Sequence, residues 1–409
     1  MLQETASGRI IWGRGHDLLF PRDNGYGLAR PLRTDRTGDS GVKAVGVIEE
    51  MRIFGLIRRQ IYRPIVELMT GVGYHRGDLE RPRADDSFFL YAYDWRDDLV
   101  TSARKLADLL DGVRAARQVA RLEVDLICQS AGGQICRYLA KYGGMTLEQA
   151  EAGSAPPSSV AVSKLILVAT ANGGSSRIVR ELHRGRTYIP GVGRKIRPEV
   201  LSSFASLYQD LPIYRDDVFL DESGEPLALD VFDPAVWRDH GLAIFAPETR
   251  ARIARNGATQ VFEDEDARFR AVGRFLDRGR RLHEVLSRDV DGFAAAYYSI
   301  QNMVDETPDQ IVLRRRGGGW TPLFSGDSAL RRMGALHDRV TTGGDGHASL
   351  ASQAWLSPQE SAAMAAEPFY LEGDHFKMIL EPEAKEKLLE YLSQGSGDRS
   401  RGRALPELR

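Results

Sequence analysis

Apolar positions in the first half of the chain fall into two alternating patterns. Short continuous runs occur at Phe88 to Tyr93, Val124 to Cys128 and Leu165 to Val168, and such runs are typical of buried strands. Over 99–113 and 135–142, apolar residues instead recur at three- and four-residue spacing, which predicts helices. Strands that alternate with helices predict a parallel sheet with helices on its faces.

The regular alternation ends after Gly173-Gly174-Ser175. The residues that follow, to about position 290, have mainly helix and loop patterns, including a long periodic helix over 269–286. Strand-like runs come next, at Ala294 to Ile300, Ile311 to Arg314 and Phe369 to Leu371. A last amphipathic helix follows from about Pro382 to Leu392. This order predicts an α/β core interrupted by an insertion.

The chain therefore divides into four predicted segments. Residues 1–174 and 291–393 form the two parts of the α/β core, and residues 175–290 form an inserted, mainly helical cap. The remaining residues, 394–409, are rich in Gly, Ser and Arg, which predicts a disordered tail.

Composition and charge narrow the class of protein. The chain has 409 residues, of which 42% are hydrophobic and 27% charged, a balance typical of a globular protein with one large core. The net charge of -2 and the pI near 6.5 leave no basic surface of the kind that binds nucleic acid. We therefore expect no nucleic-acid partner.

The cysteines and the apolar runs of the sequence indicate the cellular compartment in which the protein is expected. Cys128 and Cys136 flank a predicted strand end and helix start, so we expect no disulfide framework, and a reducing compartment fits. Met1 to Ile10 lacks a basic segment followed by an apolar run, and no stretch of about 18 consecutive apolar residues occurs. These patterns predict no signal peptide, no transmembrane segment and a cytoplasmic location.

The strongest chemical pattern lies in Val124 to Gly133, where Ser130 stands between a predicted strand and a predicted helix. A nucleophile elbow has this context and needs small residues two before and two after the serine. Cys128 replaces the usual first glycine, and Gly132 keeps the second. The amide of Ala131 would then donate to an oxyanion. The alternative is a serine that only caps a helix.

A serine nucleophile requires a base and an acid, in the chain order serine, acid, histidine. Of the eight histidines, His375 fits best, because it follows the last predicted strand and precedes the final helix. Asp345 lies in a glycine-rich loop where the acid is expected, although a turn aspartate that stabilises its own loop is the alternative. Asp374 and Asp305 are the weaker candidates for the acid.

Five motifs, in order along nearly the whole chain, resemble the lecithin:cholesterol acyltransferase family of lipid acyltransferases and lipases. The elbow is similar to the family's Val-Asp-Leu-Ile-x-His-Ser-Met-Gly-Gly, and the other motifs are Tyr93-Asp94-Trp95-Arg96, Ser206 to Pro212, Gly344-Asp345-Gly346 and Gly373-Asp374-His375. The resemblance implies an α/β-hydrolase fold, a mostly parallel sheet flanked by helices with an inserted helical cap. It assigns the roles of nucleophile, acid and base to Ser130, Asp345 and His375.

The sequence departs from the family pattern at several positions. Cys128 and Gln129 replace Gly and His at the elbow, Ala131 replaces Met, and His347 stands where Thr is usual. The family also has an apolar strand and a Pro-Gly-x-x-Gly-Ser loop, which supply a second oxyanion amide and have no counterpart before Gly8 to Gly13. Losing one such donor lowers kcat by about 10²–10³-fold. We expect either that the true start lies upstream or that this chain is a poorly active fragment.

The function that these features predict is a two-step acyl transfer through an acyl-enzyme on Ser130. The expected substrate is a lipid or other ester with water or an alcohol as acceptor, with transient contact to a membrane surface. No cofactor is expected, and no set of His, Cys and acidic residues has metal-ligand spacing. The alternatives are a catalytically impaired α/β-hydrolase-fold binding protein and an esterase for a non-lipid ester. The sequence separates neither O-acyltransferase from hydrolase nor one oligomeric state from another.

Six apolar residues of the cap have two interpretations. As the resemblance implies, they form an acyl pocket; the alternative is that they pack the cap's own core. The six residues are Phe204, Leu207, Tyr208, Leu211, Phe232 and Trp237.

Overall fold

A computed structural model of the chain describes residues 1–30, 41–53, 57–153, 159–187, 193–256 and 264–394. Of the predicted disordered tail, residues 395–409 lie outside the described residues. The described chain is a mixed α/β structure.

Its strands, in chain order, are β1 (Leu2–Glu4), β2 (Ile10–Trp12), β3 (Val42–Ala44), β4 (Glu50–Ile53), β5 (Ile57–Gln60), β6 (Leu122–Gln129), β7 (Val160–Val168), β8 (Phe219–Leu220), β9 (Ala296–Gln301), β10 (Asp305–Pro308), β11 (Ile311–Arg316), β12 (Gly319–Leu323), β13 (Thr341–Gly344) and β14 (Phe369–Tyr370).

Its α-helices are α1 (Gly15–Leu19), α2 (Arg63–Gly71), α3 (Leu99–Ala116), α4 (Gly132–Tyr142), α5 (Leu147–Glu151), α6 (Ser176–Arg184), α7 (Pro198–Leu201), α8 (Ala205–Tyr208), α9 (Pro234–Asp239), α10 (Pro247–Asn256), α11 (Glu265–Leu286), α12 (Ser328–Arg331), α13 (Ala335–Arg339), α14 (Leu350–Gln353), α15 (Pro358–Ala362) and α16 (Pro382–Ser393). Short 3-10 helices cover Arg22–Leu28, Ala243–Phe245 and Met378–Leu380.

The central sheet has four strands in the order β14-β9-β7-β6, and every neighbouring pair is parallel. Helices α3, α4 and α11 pack on one face, and α2 and α16 pack on the other. Both faces of β7 are therefore covered, and its residues from Leu165 to Val168 have no exposed surface. This arrangement confirms the predicted parallel sheet with helices on both faces, and it brings the carboxyl ends of the strands to one edge.

Most predicted elements are confirmed by the structure. The helices predicted over 99–113, 135–142, 269–286 and about 382–392 are α3, α4, α11 and α16. The runs predicted as strands around Val124, Leu165 and Ala294 lie in β6, β7 and β9.

The prediction of a strand at Phe88 to Tyr93 is wrong. Only an isolated bridge joins Phe88 to Arg76, and no strand of the described chain runs through this segment. Three of its four aromatic side chains, those of Phe89, Tyr91 and Tyr93, nevertheless pack in the same hydrophobic cluster as Val124 and Leu126 of β6. A strand requires main-chain hydrogen bonds to a neighbour, whereas an apolar run reports only burial, so the pattern could not distinguish the two.

The strand predicted at Ile311 to Arg314 exists, but it does not join the central sheet. As β11 it pairs antiparallel with β12 and parallel with β8, which belongs to the predicted cap. Within 175–290, the described residues otherwise form mainly helices, α6 to α11. The boundaries of the cap stay a prediction.

A separate hydrophobic cluster lies in the region of the predicted cap. It is formed largely by residues from α6 to α11, and every one of its buried members is at most 7% exposed. All six apolar residues with two interpretations belong to it, which is the arrangement expected if they pack the cap's own core.

A disulfide joins Cys128 at the end of β6 to Cys136 in α4, with Cα atoms 6.5 Å apart. The expectation that these cysteines form no disulfide is wrong in the structure. The physical reason is the reversal of the chain between the strand and the helix, which brings two residues separated by eight positions face to face. The bond closes a short loop that contains Ser130.

A fully buried cluster of charges also holds α4. Arg137 donates from Nε and Nη2 to the carboxylate of Glu360 at 2.9 and 2.7 Å, and Tyr297 donates to the same carboxylate at 2.8 Å. Lys141 lies 3.5 Å from Glu360 and donates to the carbonyls of Leu286 and Arg288. These contacts tie α4 to β9 and α15.

We expect Glu360→Gln to lower the free energy of unfolding by about 3–5 kcal/mol, because it leaves two buried cations without their anion. Chemical denaturation would measure the loss. The matched control is Glu390→Gln in the exposed pair with Lys387, which should leave stability nearly unchanged. Equal effects of the two changes would contradict this account.

The same cluster predicts a loss of stability in acid. Burial, the largest single influence, would raise the pKa of Glu360, but Arg137, Lys141 and the amide of Ser357 together outweigh it and lower the pKa from 4.5 to about 2. A depressed carboxyl pKa stabilises the folded state fully above the unfolded value, and the contribution is lost as pH falls from about 4.5 to about 2. The acid-induced decline between these pH values should be smaller in Glu360→Gln than in the wild type.

We also expect reduction by dithiothreitol to lower the free energy of unfolding by about 2–3 kcal/mol, the value that the entropy of closing a loop of this length predicts. Denaturation with and without reductant would measure it, and Cys136→Ser should be insensitive to reductant. Mass analysis of unreduced, unfolded protein after alkylation provides the check. If both thiols are alkylated, the disulfide is absent.

Candidate active site

Ser130 occupies a sharp turn between β6 and α4. Its φ of 54° lies in the left-handed region, which a residue with a side chain rarely adopts and which costs about 1–3 kcal/mol. The Ser130 N–H donates to the carbonyl of Val168 in the neighbouring strand at 3.3 Å, and its own carbonyl accepts from Gly133 at 2.9 Å. The surrounding structure thus holds a strained turn that exposes Oγ at the carboxyl end of β6.

Close packing below the turn explains the second glycine after the serine, Gly133. A Cβ added to Gly132 would meet no atom of the described chain within 4 Å, so the predicted need for a small residue at that position has no steric basis in the structure. A Cβ added to Gly133 would lie 2.6 Å from Cγ2 of Thr170, which follows β7. Because only glycine permits this approach, α4 can begin directly against the central sheet.

The structure brings Ser130, His375 and Asp345 together. Ser130 Oγ lies 2.8 Å from His375 Nε2, and His375 Nδ1 lies 2.7 Å from Asp345 Oδ2. The histidine is 3% exposed and the aspartate 2%. With its proton on Nδ1 facing the carboxylate, the imidazole can accept the serine proton at Nε2.

Asp345 is oriented by its own loop, directly after β13. Oδ1 accepts hydrogen bonds from the amides of His347 and Ala348 at 2.9 and 2.7 Å. Since Oδ1 is occupied in this way, Oδ2 is the oxygen that faces His375.

The loop that carries His375 is held by two side-chain amides. Gln129 donates to the His375 carbonyl at 3.2 Å and accepts from the Tyr62 hydroxyl at 3.0 Å. Asn302, which follows β9, donates to the Gly373 carbonyl at 2.7 Å. Gln129 was only a departure from the family pattern in the sequence, and its position beside Ser130 was the one signal of this role.

The two weaker candidates for the acid lie elsewhere. Asp374 is exposed and accepts from the amide of Phe376 at 3.1 Å. Asp305 begins β10, where it pairs with Gly344 of β13 and lies 3.4 Å from the side-chain amide of Asn302. Within the described part of the chain, neither carboxylate hydrogen-bonds the ring of His375.

Ala131 is the N-cap of α4, so its amide lies at the positive end of the helix. No acceptor for this N–H is found among the described residues, which leaves it able to donate to a substrate oxygen. In the same part of the chain, no group of three or more His, Cys, Asp or Glu residues could hold a metal ion. No described helix is both long and apolar enough to span a membrane.

A second histidine, His347, lies against the ring of His375. The ring centroids are 4.5 Å apart with an interplanar angle of 23°, which is a stacked arrangement. Behind His347 lies Asp210, whose Oδ2 is 3.9 Å from His347 Nε2 and whose Oδ1 accepts from Gln134. The sequence showed His347 only as an unusual residue after the acid, and it offered no signal that Asp210 would reach the site.

Comparisons with known proteins find similar chains among solved structures and none among family models or curated proteins. No protein-family model matches the chain, and a search of curated proteins finds no match. Among solved structures, one chain from "The crystal structure of Tle4-Tli4 complex" aligns with 14% sequence identity and a TM-score of 0.49, over 73% of this chain and 66% of that chain. The present chain thus spans just under two thirds of that neighbour's length.

Proposed function

We propose that the protein is a serine-dependent enzyme that transfers acyl groups from lipid esters through an acyl-enzyme on Ser130. The observation that carries the proposal is the continuous hydrogen-bonded series from Ser130 Oγ through the His375 imidazole to Asp345. A turn serine that merely capped α4 would need neither the imidazole nor the buried carboxylate behind it.

The proposed reaction proceeds in two steps. His375 Nε2 takes the hydroxyl proton of Ser130 as Oγ attacks the ester carbonyl, and the Ala131 amide donates to the oxyanion that forms. His375 then gives the proton to the leaving alcohol, which departs and leaves the acyl group on Oγ. In the second step His375 removes a proton from water or an alcohol, whose oxygen attacks the acyl carbonyl. The bond from the acyl carbon to Ser130 Oγ then breaks, and His375 returns the proton to Oγ as the acid or new ester leaves. Asp345 stabilises the imidazolium in both steps.

We also propose an α/β-hydrolase fold and a relationship to the lecithin:cholesterol acyltransferase family. The parallel sheet, the strand-turn-helix at Ser130 and the chain order of Ser130, Asp345 and His375 support the fold. The five motifs support the family. They are also the reason for proposing a lipid as the ester.

The identity of the acceptor requires a separate measurement, because water and an alcohol would attack the same acyl-enzyme. Product analysis with a long-chain phospholipid or fatty-acyl ester, with and without a sterol or fatty alcohol, would separate them. Free fatty acid in both conditions indicates a hydrolase, and a new ester that forms only with the alcohol indicates a transferase.

We expect a fluorophosphonate probe to label the wild-type protein and not Ser130→Ala, because only an activated serine hydroxyl attacks the probe. Gel fluorescence and mass analysis of the labelled peptide would measure the reaction. Ser361→Ala, in the exposed part of α15, is the matched control and should label like the wild type. A well-folded wild type that stays unlabelled would exclude this proposal and favour a binding protein.

Asp345→Asn should lower kcat for ester hydrolysis by about 10⁴-fold, the loss measured when the acid of such a triad becomes an amide, because the imidazole is then held in the wrong tautomer. Hydrolysis of a chromogenic ester would measure kcat and KM. Asp374→Asn and Asp305→Asn serve as controls and should keep kcat within a few-fold of the wild type. If either control lost more kcat than Asp345→Asn, the aspartate changed in that control would be the acid instead of Asp345.

A further inference from the structure

Two hydrogen bonds do not fully orient the imidazole of His375. The contacts at Nε2 and Nδ1 set the direction in which the ring points, and its bond to Cβ limits its tilt. Small changes in χ1, χ2 and the loop backbone can still tip the ring plane while both contacts are largely kept. The tilt matters because the lone pair of Nε2 must stay aligned with Ser130 Oγ during proton transfer. Packing against the face of the ring would limit this remaining tilt.

The stacked ring of His347 is placed to do so. Its centroid lies 4.5 Å from that of His375, within the range of favourable aromatic contacts. The ring of Phe376 meets His375 edge-on, at 5.0 Å and 88°. Phe376 is 59% exposed, however, whereas His347 is 6% exposed, so His347 is the fixed one of the two rings.

His347 is itself held on several sides. Its amide donates to Asp345 Oδ1, and its carbonyl accepts from the hydroxyl of Ser175, the N-cap of α6. Its side chain is buried against Asp210, and no partner among the described residues reaches Nδ1. The 3.9 Å from Nε2 to Asp210 is too long for a hydrogen bond, so packing rather than polar bonding positions the ring.

The surroundings also keep His347 neutral. Burial, together with His375, Arg177 and Arg186, lowers the pKa of His347 well below its ordinary value. Burial raises the pKa of Asp210 to about 8, against the attraction of Arg186 and with further contributions from Glu181 and Asp345. A neutral ring can lie against His375 without repelling the imidazolium that forms in each step.

We propose that His347 is a positioning residue whose flat, buried ring fixes the plane of the His375 imidazole and so keeps Nε2 aligned with Ser130 Oγ. The inference rests on the proposed function and adds a residue to that same site. It also gives the acid loop two tasks, since Asp345 fixes the tautomer and His347, two residues later, fixes the plane.

The test compares two replacements that both fill the buried volume, His347→Phe and His347→Leu. Phenylalanine keeps a flat ring and leucine does not. We expect His347→Leu to lower kcat for a chromogenic ester by about ten- to a hundred-fold with KM within about two-fold, because misplacement of a catalytic group acts on the chemical step. His347→Phe should restore kcat to within about three-fold of the wild type, and rates of fluorophosphonate labelling should follow the same order.

Thermal unfolding of each purified variant would establish that it is folded before its rate is compared. Equal kcat for His347→Leu and the wild type would overturn the inference, as would equally low values for the leucine and phenylalanine variants. An increase in KM without a fall in kcat would overturn it too, because that result indicates a role in binding. Failure of the proposed function looks different, since the wild type itself would then show neither ester hydrolysis nor labelling.

Discussion

The left-handed turn at Ser130 is the constraint on which the rest of the site depends. A serine gains nothing from this conformation by itself, so the surrounding structure must hold it. Three kinds of contact hold the turn and the helix that follows it. A main-chain hydrogen bond joins Ser130 to β7, a disulfide joins Cys128 to α4, and the ion cluster around Glu360 anchors α4 deeper in the core. Together they fix where Oγ emerges, and the acid and histidine loops converge on that point.

The parts of this arrangement that could be predicted from the sequence are those encoded over a few adjacent residues. The elbow is one contiguous stretch, and its strand and helix patterns place Ser130 and Ala131 without reference to any distant segment. His375 occurs in a loop after a predicted strand and Asp345 in a glycine-rich loop, and the chain order serine, acid, histidine is what assigned them to one site. In the structure Asp345 follows β13, which pairs antiparallel with β10 outside the central sheet, so the parallel sheet alone does not explain its position. The contact of His375 with Ser130, and that of Asp345 with His375, are seen in the structure, and the roles of these residues in catalysis stay proposed.

The parts that could not be predicted depend on partners that are distant in sequence. The run from Phe88 to Tyr93 has a strand's composition, but composition does not report whether a neighbouring strand is available for pairing. β11 has a strand's pattern, which does not reveal that its partner is β8 of the predicted cap rather than the central sheet. The disulfide depends on how sharply the chain turns. The contact of Asp210 with His347 joins two loops more than a hundred residues apart.

The loops at the site are positioned by polar contacts, whereas the sheet beneath them is held by apolar packing. Gln129, Asn302 and Ser175 each use a side chain to bind a main-chain carbonyl of a loop that carries a proposed functional residue. Apolar burial is non-directional and would allow these loops to slide, but a buried hydrogen bond costs about 1–3 kcal/mol if it is left unmade. Such bonds therefore specify position as well as proximity. This explains how the segments around His375 and His347 can have well-defined positions without regular secondary structure of their own.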